Sequence, residues 1–456
     1  MTAEQAGSAR SMSGSPITLS RRGLMTGIAG AAGAAALSRG AWAGGEVAAA
    51  DDEPRNEDMA KIEHVVLVMM ENRSFDHFLG WLPRADGRQA GLSYVDKAEA
   101  RHATYPLAPD YQGCGHPDPD HSYEGGRVEY DDGKCDGWLR AGTNDVYSIG
   151  YYTERDLAFL GKAAPHWTTC DHYFAAILAE TFPNRMYQHA AQTDRIHNTL
   201  TLSTLPTIWD RLATAGLTGR YYYSDLPFLG LWGAKYLPIS HLFPQFLTDC
   251  AAGALPQVSF IDPIFFGEDQ GISNDDHPHA DIRNGEVFLN KIYQAVKSGP
   301  AWDKTLLIIN FDEWGGFFEH VRPEVVPIPP ITRAAGDNSG LRGFRVPCLL
   351  ISPWSRRGHV PHRVYDHTSV LKLIERRWRL EPLTVRDREA NNLANELDFH
   401  DADLSAPDFA VPPGPFGGAC APTVGAAALP AAQSAPASGQ EWTGLQAMAR
   451  QSGWPV

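Results

Sequence analysis

The chain has 456 residues, of which 43% are hydrophobic and 20% charged, a globular composition that excludes both a disordered protein and a small disulfide-rich scaffold. Its 43 glycines and 33 prolines indicate many loops, but not a low-complexity chain. The formal net charge of −15 argues against a nucleic-acid partner, because a phosphate backbone would be repelled.

Residues 1–43 are typical of an export signal rather than of a folded domain. Arg21 and Arg22 precede a weakly hydrophobic stretch at 24–37, and Ala41-Trp42-Ala43 provides the small residues that a signal peptidase cuts. That stretch is shorter than the ~20 residues needed to span a bilayer, and no later segment predicts an integral membrane span. The arginine pair indicates twin-arginine export to the periplasm, the cell surface or the medium. A disordered N-terminus with a chance arginine pair is the alternative.

Strand and helix patterns alternate through the rest of the chain. After a polar lead, the apolar run at 62–70 predicts a strand buried on both faces. Segment 84–150 has no clear period and predicts a long irregular insertion. The alternation predicts an α/β fold with a central, mostly parallel sheet between helix layers. Further strands are predicted at 219–223, 257–262, 305–311 and 346–352, and helices at 205–215, 281–297 and 368–378.

The patterns predict one folded domain at 44–405, followed by a Pro/Ala-rich C-terminal tail at 406–456 that we expect to be extended. All six cysteines lie after the signal, and an oxidising destination would permit disulfides. Cys114 and Cys135 bracket a Gly- and Asp-rich loop and are the pair that we expect to be bonded. No CxxC occurs, so a zinc ribbon is not predicted.

Acidic residues follow two of the buried strands. Glu71-Asn72 comes after the first strand and Asp312-Glu313 after the strand at 305–311. If these strands are parallel, the four side chains share one sheet edge, where ligand sites form in open α/β sheets. Their oxygens would suit one divalent metal ion, calcium or zinc-like. The alternative is that they cap the following helices, Asp312 especially.

A hydroxyl and two imidazoles complete the candidate chemistry. Thr181 stands two residues before Pro183, in a turn that leads into a helix, where its hydroxyl could be activated as a nucleophile. An ordinary N-cap threonine is the alternative. His121 and His277 lie in Asp-rich loops and could hold a phosphoryl group or protonate a leaving oxygen. Dinucleotide, P-loop, zincin and α/β-hydrolase motifs do not occur.

Several segments resemble motifs of the bacterial phosphoesterase family that contains phosphatidylcholine-type phospholipases C and related acid phosphatases. They occur in the family's order between residues 62 and 380. Glu319 stands where family members commonly have Asp, which leaves the role of that residue open. The segments are Ile62–Val66 with Glu71–Asp76, then Thr181–Arg185, Phe311–Val321 and Tyr365–Leu371.

The resemblance implies an alkaline-phosphatase-superfamily-like sandwich and a set of site residues. Thr181 would be the nucleophile, and His121 and His277 would contact the phosphoryl group. The family's extra C-terminal domains are not predicted here, so any membrane docking by them would be missing or weaker. The metal ligands implied are Glu71, Asn72, Asp312 and Glu313.

An aromatic-rich segment at 219–236 suggests a binding site for a choline-like head group, because aromatic faces attract quaternary ammonium ions. We therefore expect Tyr222 and Trp232, with Asn184 of the nucleophile motif, to contact the substrate. Ordinary strand and loop packing is the alternative for the aromatic residues.

These observations predict an exported, metal-assisted phosphoric ester hydrolase. The favoured reaction is a phospholipase C cleavage of phosphatidylcholine-like diesters through a phospho-enzyme at Thr181. In the resembling family, a threonine nucleophile is associated with phospholipase C members and a serine with acid phosphatases. The expected partners are a phospholipid or small phosphate ester and the twin-arginine export machinery, with no nucleic acid. Alternatives are an acid phosphatase acting on monoesters and a non-catalytic protein that binds phosphate or a lipid head group.

Overall fold

The computed structural model describes residues 53–421 and 440–456, in which thirteen strands and twelve α-helices occur. The expected export signal lies outside the described residues. The strands are β1 His64–Met70, β2 Ser93–Val95, β3 Arg101–Ala103, β4 Tyr105–Pro106, β5 Gly150–Tyr151, β6 Thr168–Thr169, β7 Tyr173–Phe174, β8 Gly219–Tyr223, β9 Ser240–Leu242, β10 Val258–Ile261, β11 Thr305–Phe311, β12 Cys348–Ile351 and β13 Tyr365–Asp366. The helices are α1 Asn56–Met59, α2 Phe75–Leu79, α3 Tyr123–Tyr130, α4 Leu160–His166, α5 Thr181–Ala190, α6 Ile208–Thr214, α7 Phe243–Ala252, α8 Ile282–Ser298, α9 Pro330–Ala334, α10 His367–Trp378, α11 Val385–Glu389 and α12 Gln440–Gln451.

Seven strands form the central sheet, in the order β6–β12–β11–β1–β10–β8–β9. Strand β12 runs antiparallel to both of its neighbours, and all the other pairs are parallel. Strand β1 lies between β10 and β11, which explains why its valines, leucine and methionines form a continuous apolar run. The predicted fold class, a mostly parallel sheet between helices, is confirmed.

Two adjacent tyrosines of β8 show how helices cover both faces of the sheet. The ring of Tyr221 lies 6.4 Å from that of His189 on α5, whereas the ring of Tyr222 lies 5.3 Å from that of Phe246 on α7. Successive side chains of a strand point to opposite faces. Helices α5 and α7 therefore cover opposite faces of the sheet.

The register of β1 and β11 determines where the site forms. Met70 is paired with Phe311, and the two strands are parallel, so both end at the same edge. The Asp312 amide extends the pairing by donating to the Met70 carbonyl at 3.0 Å. The expectation that the two acidic clusters share an edge is confirmed.

The disulfide joins Cys114 to Cys420, with their Cα atoms 5.2 Å apart, so the expected pairing of Cys114 with Cys135 is wrong. Cys135 is a free thiol that packs in an apolar cluster with Trp138 and Phe344. Proximity along the chain was misleading, because burial in this cluster draws Cys135 away from the loop surface.

The expectation of an extended C-terminal tail is wrong for residues 440–451, which form helix α12. Trp442 and Leu445 of this helix are buried against the rest of the domain. These apolar residues follow the stretch richest in Pro and Ala, whose composition dominated the prediction. Across 53–421 and 440–456, no helix combines the length and the apolar character needed to cross a membrane.

Candidate active site

Four predicted metal ligands meet where β1 and β11 end, and all four are fully buried. The backbone amides of Asn72 and Glu313 both donate to Asp312 Oδ1, at 3.1 and 2.7 Å. Asp312 thereby joins the two strand ends. A turn rather than a helix follows it, so the alternative that Asp312 caps a helix is wrong.

A buried arginine, Arg185 of α5, lies beneath these carboxylates. Its Nε donates to Glu71 Oε1 at 3.0 Å and to Asp312 Oδ2 at 3.2 Å, and its Nη1 donates to Asp262 Oδ1 at 2.8 Å. Burial lowers the pKa of Arg185, but the three carboxylates outweigh it and keep the pKa above its ordinary value. Arg185 is therefore a permanent cation that fixes the positions of the acidic groups.

Thr181 is the first residue of α5, and its hydroxyl faces the acidic edge. Thr181 Oγ1 lies 3.5 Å from Asn72 Oδ1, to which it donates. The N-cap residue is Glu180, so the alternative that Thr181 is an ordinary N-cap is wrong. The structure thus brings the expected nucleophile together with the expected metal ligands.

Two histidines lie together beside the acidic edge. The rings of His121 and His277 are 5.5 Å apart, edge to face. His121 Nε2 lies 3.4 Å from Asn72 Nδ2 and 3.9 Å from Glu313 Oε1. His277 Nε2 lies 3.9 Å from the Asp118 carboxylate, and its Nδ1 lies 3.3 Å from Glu268. Both imidazoles are therefore in an acidic environment.

This environment determines the charge of the two imidazoles. Burial lowers the pKa of His121, but Glu313 and Asp118 more than compensate and raise it to about 9. Burial also opposes charge on His277, yet Glu268 and Asp118 raise its pKa well above the ordinary value. The acidic surroundings therefore favour the protonated form of both imidazoles, in which each ring nitrogen is a hydrogen-bond donor.

Unpaired carboxylate oxygens show that the pocket suits a cation. Glu71 Oε2 and Glu313 Oε1 are buried without a hydrogen-bond partner among the described residues. Burial raises the pKa of Glu71 and Glu313 well above the ordinary value, although Arg185 and His121 respectively lower it. Hard oxygen donors that lack protein partners fit a divalent ion.

The geometry also offers a second set of possible metal ligands. Ligand atoms of Asp118, His121 and His277 all lie within 4.8 Å of one another. Among the described residues, Glu71, Asp312 and Glu313 do not form such a group. His121 and His277 are the expected phosphoryl contacts, so a cation and a phosphoryl oxygen would compete for the same imidazoles.

The structure corrects the expected role of Asn184. Its Nδ2 donates to the carbonyls of Ile177, Ala179 and Glu180 at 3.1, 2.7 and 3.1 Å, and its Oδ1 accepts from the Ile177 amide at 3.1 Å. The side chain is fully buried and occupied by the backbone that leads into Thr181. Asn184 therefore binds the backbone that precedes Thr181, and its side chain is not open to a substrate.

Tyr222 and Trp232 also depart from expectation. Tyr222 is 0% exposed, lies on the α7 side of the sheet and donates to Asp249 Oδ2 at 2.6 Å. Trp232 is 5% exposed and donates to the Leu205 carbonyl at 2.9 Å. Neither ring has an open face for a choline group, so the packing alternative describes them.

Glu319 belongs to a separate buried network. Arg345 Nη2 donates to Glu319 at 2.6 Å and to Asp76 at 3.3 Å, and His320 Nδ1 lies 2.5 Å from Asp76. The side chains of Glu319 and Asp76 are fully buried. Glu319 therefore pairs with Arg345, and it forms with Asp76 and His320 another group of possible ligands whose atoms lie within 4.8 Å of one another.

Several site residues were not singled out from the sequence. Arg185 ends the segment Thr181–Arg185, and Asp118 lies in the Asp-rich loop just before His121. Only tertiary structure shows that Arg185 faces carboxylates and that Asp118 faces an imidazole. His367 also reaches the edge, because its Nε2 lies 2.6 Å from the Asp312 carbonyl. Asp262 follows β10 just as Asp312 follows β11, a strand-end signal that could have identified it.

Several known proteins are similar to this chain. The Phosphoesterase family model matches residues 62–381. Phospholipase C A of Mycobacterium tuberculosis is 31% identical over 477 residues, covering 88% of this chain and 88% of that protein. Non-specific phospholipase C1 of Arabidopsis thaliana is 29% identical over 383 residues, covering 75% and 72%. Among solved structures, a protein in the alkaline phosphatase superfamily from Vibrio parahaemolyticus is 10% identical, with coverage of 74% and 72% and a TM-score of 0.35.

The matched segment contains both strand-end acidic pairs, Thr181 and the two histidines, and extends over more than half of the chain. The chain therefore belongs to the Phosphoesterase family and is a phosphoric ester hydrolase.

Proposed function

We propose that this protein is an exported phospholipase C that cleaves phosphatidylcholine-like phosphodiesters through a phospho-enzyme on Thr181. The observation that carries the proposal is the position of the Thr181 hydroxyl, 3.5 Å from Asn72 Oδ1 and at the start of a helix. A helix N-terminus favours a phosphoryl anion. The names of the similar phospholipases C support the diester substrate, and residues 1–43 support export.

In the proposed reaction, Thr181 Oγ1 releases its proton to solvent and forms a bond to phosphorus, and the bond from phosphorus to the diacylglycerol oxygen breaks. Protonated His121 or His277 donates the proton that the leaving oxygen takes up. Water then attacks the phospho-threonine, releasing the phosphorylated head group and restoring the hydroxyl. Arg185 holds the carboxylates in place throughout.

Glu71, Asn72, Asp312 and Glu313 would hold a divalent ion, and Glu71 Oε2 and Glu313 Oε1 have no hydrogen-bond partner among the described residues that would compete with it. Such an ion would stabilise negative charge on the phosphoryl oxygens and favour the ionised hydroxyl. The alternative ligand set of Asp118 with the two histidines would leave neither imidazole free as a proton donor. If a Glu71 variant loses both bound metal and activity, the set that contains Glu71 is favoured over the set that contains the histidines.

The test is a substrate panel on the purified protein and on Thr181→Val, which preserves shape and removes the oxygen. We expect the parent to hydrolyse phosphatidylcholine and a choline phosphodiester faster than an aryl monophosphate, and Thr181→Val to be inactive on all three. Faster turnover of the monoester would support the acid phosphatase alternative. Near-normal turnover by Thr181→Val would overturn the mechanism.

A further inference from the structure

The C-terminal helix α12 lies outside the segment matched by the family model, yet it packs against the first turn of α5. Trp442 is 4% exposed, and its ring lies 5.5 Å from that of Phe182. Phe182 follows Thr181 directly in the chain. This aromatic contact therefore joins α12 directly to Phe182, the residue next to the proposed nucleophile.

A second contact leads from the same tryptophan to the acidic edge. Trp442 stacks on Phe265, with ring centroids 4.3 Å apart and an angle of 13° between the planes. The guanidinium of Arg185 lies 4.8 Å from the centroid of the same Phe265 ring. Because Arg185 is bonded to Glu71 and Asp312, the stack connects Trp442 to the carboxylates.

A polar path runs parallel to the aromatic one. Asn198 Nδ2 donates to Glu441 Oε1 at 3.2 Å, and Asn198 Oδ1 accepts from the Phe182 amide at 2.8 Å. The backbone amide of Asn198 also donates to the Glu180 carboxylate. Glu441 thus orients a side chain that binds the backbone at the start of α5.

We propose that α12 is a positioning element of the active site, in which Trp442 and Glu441 hold the first turn of α5 and the face of Arg185. The inference rests on the proposed role of Thr181 as nucleophile. Neither residue touches the substrate; both act through Phe182, Phe265 and Asn198. A displacement of the attacking oxygen by about 1 Å can cost about a hundredfold in rate.

The chain offers a matched control for a test. Trp454 is 3% exposed, packs its ring 5.8 Å from that of Tyr223 and donates to the Gly233 carbonyl at 2.9 Å. Trp454→Ala removes the same side chain from the same end of the protein without touching α5. Trp442→Phe keeps an aromatic ring against Phe265 and tests rescue.

The experiment compares kcat, KM and thermal stability of the full-length parent with Trp442→Ala, Trp442→Phe and Trp454→Ala. For Trp442→Ala we expect kcat per folded enzyme to fall about tenfold or more, with KM within about twofold. We expect Trp454→Ala to lose stability but keep kcat, and Trp442→Phe to recover most of the kcat.

Equal kcat in the folded Trp442→Ala and Trp454→Ala enzymes would overturn the inference, because α12 would then only add stability. If Trp442→Ala does not fold, Glu441→Ala provides the decision: reduced kcat supports positioning and unchanged kcat overturns it. Thr181→Val distinguishes a failure of the proposed nucleophile from a failure of the positioning role of α12. An active Thr181→Val refutes the nucleophile itself, whereas an inactive Thr181→Val with normal kcat in the α12 variants refutes this inference alone.

Discussion

Arg185 Nε lies 3.0 Å from Glu71 Oε1, and both side chains are fully buried. The contact leaves the second oxygen of Glu71 without a partner among the described residues. One oxygen of the Glu71 carboxylate therefore binds the Arg185 guanidinium, and the other is available to a second cation. The protein has placed a permanent charge next to the atom that a metal ion would bind.

Arg185→Met should destabilise the fold by about 3–5 kcal/mol, because it leaves buried carboxylates without their partner. Urea unfolding monitored by tryptophan fluorescence measures the change. Arg185→Lys, which keeps the charge but not the branched geometry, should lose less. Equal stability of the Met variant and the parent would contradict the role of the guanidinium.

Glu71→Gln should lower bound divalent metal and activity together, because the unpaired Oε2 is the oxygen offered to a cation. Metal content by mass spectrometry and turnover are the measurements. Asp249→Asn changes another buried, arginine-paired carboxylate that belongs to none of the candidate ligand groups, and it should leave metal content unchanged. Full turnover by the metal-free parent would contradict the assignment of Glu71 as a ligand of a metal ion that the reaction needs.

Asn184→Ala should reduce kcat about tenfold or more, because the backbone before Thr181 loses the amide that binds its carbonyls. Asn338→Ala, which alters an exposed loop amide, is the control and should behave as the parent does. Steady-state kinetics at saturating substrate separate the two. A variant that raised KM alone would indicate substrate binding, as the sequence first suggested.

Replacing both Arg21 and Arg22 with Lys should leave the precursor inside the cell, because the twin-arginine receptor reads both guanidinium groups. Arg10→Lys with Arg39→Lys changes the same number of arginines within residues 1–43 and should export normally. Immunoblots of cell fractions give the distribution. Normal mature protein outside the cell would exclude this route.

Glu375→Gln should stabilise the protein at alkaline pH. Burial, aided by Asp387, raises the pKa of Glu375 from 4.5 to about 10, so the folded state holds a proton that the unfolded state releases. Stability from this group therefore falls as pH rises from about 4.5 to about 10. Thermal unfolding at pH 5 and pH 9 should show a gain that is larger at pH 9. An equal melting-temperature change at both pH values would contradict the proton linkage.

The fold was predictable where local pattern and burial agree. The apolar runs that became β1 and β11 each end in an acidic pair, and parallel pairing brings these pairs to one edge. Thr181 was expected in a turn that leads into a helix, and it is the first residue of α5, with Pro183 in the same first turn, where a proline is tolerated.

Contacts between distant segments could not be predicted from the same sequence. Asn184 has the polarity of a ligand-binding residue, and only the course of the preceding backbone shows that its amide is fully used. Tyr222 and Trp232 are of the aromatic type that binds quaternary ammonium ions, but both rings are buried in the core and their faces are not accessible to a ligand. Cys420 is 306 residues from its partner, so no local spacing could indicate it.

The bond between Cys114 and Cys420 closes a covalent ring that contains Thr181, His121, His277 and Asp312, but not β1. Strand β1 nevertheless lies between β10 and β11, which both belong to the ring. Strand β1, which precedes the ring in the sequence, thus occupies the centre of a sheet whose other strands all belong to the ring. Glu71 and Asn72 directly follow β1 and reach the site with it. The carboxyl edge therefore depends on a segment that the disulfide does not enclose, because Glu71 and Asn72 reach the site only when β1 lies between β10 and β11.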